Sequence, residues 1–148
     1  MNPTSGDLYA ARRGGGATLN GVQTNVIPAT SLDQGVTGVG CSMRTKPEDL
    51  SRIMSRLLEQ RGMYLRVGSG ALNLAYVAAG QLIGYVEMHI NGWDCLAALC
   101  LCREAGALCS DFIGQHGIAG GGPLVVGAPG VYDQLAELLP AGAVGPPR

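Results

Sequence analysis

The spacing of hydrophobic positions changes several times along the 148 residues, and each change predicts an element. Short apolar runs predict strands over 8–11, 17–19, 22–27 and 36–41, with reversal signals at Asn2-Pro3 and Ser5-Gly6-Asp7. Thr45-Lys46-Pro47-Glu48 reads as a T-x-x-E capping box with proline in the first turn. Leu50, Ile53, Met54, Leu57 and Leu58 then recur at helical spacing, and Gly62 is expected to close that helix. Asp49, Arg52, Arg56 and Glu59 fall on the opposite face, which reads as solvated. A short strand over 64–67 leads through Gly68-Ser69-Gly70 into a helix over 71–79, ended by Gly80. A strand over 82–90 and a helix over 94–105, ended by Gly106, follow. Strands over 108–112 and 124–127 flank a glycine-rich turn, and the last helix spans 131–139.

Strands alternating with helices from residue 36 onward predict a layered α/β domain over 36–139. The strand-rich segment 1–35 reads as part of a different, incomplete sheet, and 140–148 as a flexible Gly/Pro-rich tail. A hairpin needs an arm on each side of its turn, yet only Met1 precedes the first turn signal. The chain is therefore expected to be a piece of something longer.

Composition narrows the function classes. Hydrophobic residues make up 47%, as in a globular domain. The formal net charge of -1 and the 5% aromatic content predict neither a nucleic acid nor a membrane partner. The longest apolar stretch, 71–86, is too short to cross a bilayer and is interrupted by Gly80, Gln81 and Gly84. The 24 glycines follow no repeat and imply tight turns and close backbone approaches. Five cysteines (41, 95, 100, 102 and 109) contain no C-x-x-C pair and read as free thiols of a cytoplasmic protein rather than a metal site.

Two strand-to-helix junctions can carry chemistry, because ligands of α/β sheets collect at the carboxyl ends of strands. In VGSGALN, Gly68 and Gly70 let backbone approach a ligand, and Ser69 can cap the helix beside N–H groups that favour an anion or a hydroxyl-rich ligand. The plain alternative is a cap and two turns. In GYVEMHINGWD, alternation puts Tyr85, Glu87 and His89 on one face, read as polar, and Val86, Met88 and Ile90 on the other. Asn91-Gly92 is expected to turn, leaving Asp94 in the first turn of the next helix. A carboxylate there suits Mg²⁺, although a helix cap and a solvated strand residue would look the same. His89 could reach the cleft but has no identifiable partner, and His116 is expected to be exposed in the glycine-rich turn.

The run GSGALNLAYVAAGQLIGYVEMHINGWDCLAALCLCREAGA resembles the C-terminal half of the inositol monophosphatase family. The shared residues are Gly68-Ser69, Ala71, Ala78, Gly80, Tyr85, Glu87, Trp93-Asp94, Ala97-Ala98 and Glu104-Ala105-Gly106. NPTSGDLYAARRGGGATLNG is similar to the family's hairpin. The resemblance implies the layered α-β-α-β sugar-phosphatase fold, here its C-terminal half with part of the first antiparallel sheet. It implies a Mg²⁺-dependent phosphomonoesterase of small polyol or sugar phosphates, homodimeric when complete. Asp94 would be a metal ligand near the substrate hydroxyls, Glu87 would bind a hydroxyl, and Gly68, Ser69 and Gly70 would line the substrate pocket. Trp93 would pack and aim Asp94. The family's remaining metal ligands lie in G-E-E and D-P-[IL]-D-G-T segments, and neither occurs here. This chain alone is expected not to turn over substrate. A non-catalytic binding module and an unrelated nucleotide-binding domain remain as alternatives.

Overall fold

The computed structural model describes residues 1–116 and 118–147, so Gly117 of the glycine-rich turn and Arg148 of the tail lie outside it. Two sheets form. In the first, β1 (Tyr9–Ala11), β2 (Ala17–Leu19) and β3 (Val22–Thr24) make an antiparallel meander. The second has β4 (Val36–Val39), β5 (Met63–Leu65), β6 (Gly84–Asn91), β7 (Leu108–Cys109) and β8 (Gly121–Gly127) in the order β5-β4-β6-β8-β7. Its β5, β4 and β6 run parallel, and β8 is antiparallel to β6 and β7.

Helices cover both faces of this mixed sheet. The helices α2 (Gly70–Ala78) and α3 (Gly92–Glu104) pack with Tyr85, Leu124 and Val126 on one face. On the other, α1 (Pro47–Glu59) and α5 (Tyr132–Glu137) bury Ile53, Leu57 and Leu135 with Ile83, Val86 and Val125. The small sheet lies outside α2 and α3. It is held by Thr24 Oγ1 donating to the Ala78 carbonyl and by the Val26 N–H donating to the Ala105 carbonyl. Glu104 accepts from the N–H groups of Gly14 (2.8 Å) and Gly16 (2.9 Å), tying the β1–β2 turn to the end of α3. The layers are thus α-β-α-β, as the resemblance implies.

Several local expectations are corrected. Thr45 does not cap α1: its hydroxyl accepts from the Ser42 N–H, and Lys46 occupies the cap position without a side-chain hydrogen bond. Arg61, at φ 60°, takes the left-handed position after α1. Gly62 instead lies against Leu57, leaving no room for a side chain. Residues 108–112 do not form one strand, because Phe112 opens a short helix, α4 (Phe112–His116), and is fully buried. The glycine-rich turn is shorter than expected, since β8 already begins at Gly121. Of the expected tail, Ala143 and Val144 rest against the α1/α5 core and Pro147 bridges to Ser110.

The largest departure is in β6. Opposite β8, Glu87 pairs with Leu124 and Ile90 with Gly122, so one extra residue is accommodated between them. This bulge breaks strict alternation. Ile90 thereby joins Tyr85 in the core beneath α2 and α3 instead of sharing a face with Val86. The Tyr85/Glu87 face is also not a solvated one, because both residues are buried.

Candidate functional site

The carboxyl ends of β4, β5 and β6 open into a cleft of about 290 Å³. All five expected site residues, Gly68, Ser69, Gly70, Glu87 and Asp94, line it. Each arrives for a local reason. Ser69 is the N-cap of α2, with extended backbone (φ -134°) and its Oγ accepting from the Leu72 N–H at 3.3 Å. With Leu72 capped and the Asn73 N–H bonded to the Ser69 carbonyl, the N–H groups of Gly70 and Ala71 remain at the helix start without intrahelical partners. Gly68 has φ +83°, a left-handed backbone that a side chain would strain.

Glu87 comes from the bulged end of β6 and is 6% exposed. The Tyr85 hydroxyl donates to its Oε2. Burial pushes the Glu87 carboxyl above its usual range; the Tyr85 hydrogen bond opposes this, Asp94 adds to it and Arg66 opposes it. Asp94 lies in the first turn of α3 and is exposed, with Oδ2 accepting from Asn91 Nδ2 at 3.3 Å. No turn separates strand from helix: β6 ends at Asn91 and α3 begins at Gly92, whose Cα is pressed against the Ile118 carbonyl. Trp93 does not pack as the resemblance implies. It is 73% exposed, because the next residue after the buried Gly92 points out of the helix bundle.

The cleft has a second bank that sequence reasoning missed: Cys41 and Ser42 after β4, Arg66 after β5, and Asn73 on α2. The first two follow a parallel strand, which was the available signal; Arg66 lies two residues before Gly68 in the same loop. Arg66 Nη2 donates to the Cys41 carbonyl at 3.5 Å, and Ser42 Oγ to the His89 carbonyl at 3.3 Å. His89 does line the cleft, with Nε2 seated against Gly121. His116 is not exposed: its ring packs on Phe112, and its Nε2 is buried without a hydrogen-bond partner.

The thiols do not assemble a reactive site. Cys95 is buried beside the cleft, and burial, then Asp94 and Glu87, push its thiol up to about 12. All five cysteines are free. Among the described residues no three His, Cys, Asp or Glu side chains group closely enough to hold a metal ion. Asp94 can therefore offer a hard oxygen to a cation, but these residues fit a single ligand position rather than a cage. No helix among the described residues is long and apolar enough to cross a membrane.

The family model of the inositol monophosphatase family matches residues 1–141. The chain belongs to the inositol monophosphatase family. Among the family's proteins, Nus factor SuhB of Escherichia coli strain K12 is 37% identical over 148 residues, covering 93% of this chain and 55% of that protein. Inositol-1-monophosphatase of Mesorhizobium japonicum is 36% identical over 129 residues, covering 85% and 48%. The crystal structure of the extragenic suppressor protein SuhB from Bartonella henselae superposes with a TM-score of 0.84 at 26% identity, over 96% of this chain and 55% of that one. The chain thus spans about half the length of the family relatives it matches.

Proposed function

We propose that this chain carries the substrate-facing half of a phosphomonoesterase site for a small polyol or sugar phosphate. The observation that carries the reading is one cleft lined together by Gly68, Ser69, Gly70, Glu87 and Asp94. In it the free N–H groups at the start of α2 bind an oxyanion or a hydroxyl oxygen. The Glu87 carboxyl accepts from a substrate hydroxyl, and the exposed Asp94 carboxylate offers an oxygen to Mg²⁺. The ion, when bound, supplies the Lewis acidity that phosphoryl transfer requires. Its other ligands would come from polypeptide beyond these residues, so the isolated chain binds but does not hydrolyse.

The test is an NMR titration of the 148-residue chain with myo-inositol 1-phosphate and Mg²⁺. The expected result is shifts confined to the amides around 68–70, 87 and 94, with the Mg²⁺-dependent part lost in Asp94→Asn. Shifts scattered elsewhere, or an unchanged Mg²⁺ response in that variant, would reject the assignment. Mg²⁺-dependent phosphate release by this chain alone would reject the claim that it does not hydrolyse.

One observation favours a second reading, a binding module without catalysis: the Escherichia coli relative is named a Nus factor. On that reading the partner adds to the open edge at β5, where Met63, Tyr64 and Leu65 are all exposed. A chain that ignores the phosphate and Mg²⁺ yet binds a protein partner through residues 63–65 would satisfy this reading and not the first.

A further inference from the structure

A buried hydrogen bond lies on the floor of the cleft, and the packing around it serves the hydroxyl as well as the ring. Tyr85 is fully buried, and its O–H donates to Glu87 Oε2 two residues along the same face of β6. The phenol runs through a slot made by three glycines from two other elements. A Cβ on Gly38 would stand 2.9 Å from Tyr85 Cδ2, and one on Gly70 would stand 3.3 Å from Tyr85 Oη. A Cβ on Gly40 would collide with both Tyr85 Oη and the Glu87 carboxyl. Gly38 closes on the ring, whereas Gly40 and Gly70 close on the hydroxyl, so the slot is shaped around the O–H as well as the phenyl group. Burial, then the Glu87 carboxylate, hold the phenol far above its usual range and keep it a donor.

A donor fixed on one carboxyl oxygen also fixes the plane of the carboxyl group. Among the described residues Oε1 has no hydrogen-bond partner, and Glu87 lines the cleft. We propose that Tyr85 is a specificity-determining positioning residue, which orients Glu87 so that Oε1 is presented as the acceptor for one hydroxyl of the bound phosphate ester. This rests on the reading of the cleft as a polyol-phosphate site. An acceptor at the cleft surface that meets a substrate hydroxyl discriminates against a ligand lacking it, because that ligand shields the oxygen from water and leaves it unpaired. The site therefore selects hydroxylated phosphate esters, and the selection depends on the residue that holds the Glu87 carboxyl in place.

The experiment titrates the chain and its Tyr85→Phe variant, in Mg²⁺, with myo-inositol 1-phosphate and with cyclohexyl phosphate, which has the same ring without the hydroxyls. The unmodified chain is expected to prefer the inositol ester by about tenfold or more. Tyr85→Phe is expected to lose most of that preference by weakening the inositol ester alone. Gly40→Ala keeps the hydroxyl but displaces the pair, and is expected to lose the same preference. The ¹³C carboxyl resonance of Glu87, assigned by its absence in Glu87→Gln, should shift in ligand-free Tyr85→Phe while the rest of the spectrum stays folded. A Tyr85→Phe chain that keeps the full preference overturns the proposal and leaves the functional reading intact. An unmodified chain that binds neither ester overturns both.

Discussion

The two faces of the five-stranded sheet are built from the same strands but differ in chemistry. Beneath α1 and α5 the core is mostly aliphatic, with Ile53, Leu57, Ile83, Val86, Val125, Leu135, Leu138 and Leu139 packed around the phenol of Tyr132. Beneath α2 and α3 it includes Tyr85, Cys95, Cys102, Cys109 and the buried amide of Asn73. Part of the difference follows from where the helices begin. Both α2 and α3 start at the cleft, where Asn73, Cys95 and Tyr85 carry polar atoms into the interior; Cys102 and Cys109 lie farther along the same face. Neither α1 nor α5 contributes a residue to the cleft. One face supplies stability, and the other trades part of it for a site.

Substitutions on the two faces separate these roles. Leu135 is fully buried, with its side chain filling the space over Gly84 and Gly127. Leu135→Ala should cost about 2–5 kcal/mol in urea unfolding. Ligand shifts at 68–70 should be unchanged wherever the variant is folded, and a selective loss of them would show that the faces are not separable. Gly40→Ala, on the site face, should cost about 1–3 kcal/mol by overpacking and should disturb ligand binding as well.

Glu87→Gln should do the opposite to stability at neutral pH. The folded protein holds the Glu87 proton more tightly than the unfolded chain, since burial raises its carboxyl. The native state therefore loses stability as pH rises from the unfolded carboxyl value through the folded one, and the loss is complete above it. Glutamine removes this slope. Stability measured against pH should become flatter across that window while polyol binding falls; an unchanged slope would mean that the carboxyl is not buried in solution.

Glu104 has the contrary sign. Backbone N–H groups of Gly14 and Gly16 hold its carboxyl below the usual range. Its contribution is present above the unfolded value and is lost as pH falls through the folded one. Glu104→Gln should weaken the acid-side slope and speed hydrogen exchange at Gly14 and Gly16, with no effect on the cleft. Smallest of all, Trp93→Ala should change stability by no more than about 0.5 kcal/mol, because the ring is exposed. A larger loss would restore the packing role that the resemblance implies.

Element order and the two junctions that carry the cleft were legible in the sequence because they depend on local signals. Ser69 followed by a helix-forming run is a cap wherever it occurs, and Asp94 in a first turn is placed by helix geometry alone. The cap of α1 failed by the same standard: Thr45 has the right spacing, but a neighbouring turn takes its hydroxyl. The exposure of Trp93 and the partial burial of His116 were not legible either. Each depends on what the loop around 118–120 and the start of β8 press against, which no window of sequence contains.

By itself the sequence determined that strands alternate with helices, that a separate small sheet precedes them, and that acids and glycines stand where strands end. These follow from periodicity and from the few residues that tolerate turns and caps. Tertiary structure alone decided that Ile90 crosses to the face of Tyr85, that Arg66 and Ser42 join the cleft, and that Glu87 is buried under Gly40. A bulge is defined by the register of a partner strand, and a cleft by elements that meet only after β4, β5 and β6 have paired. Such facts belong to distances between residues far apart in the chain, so they come into being only with the fold.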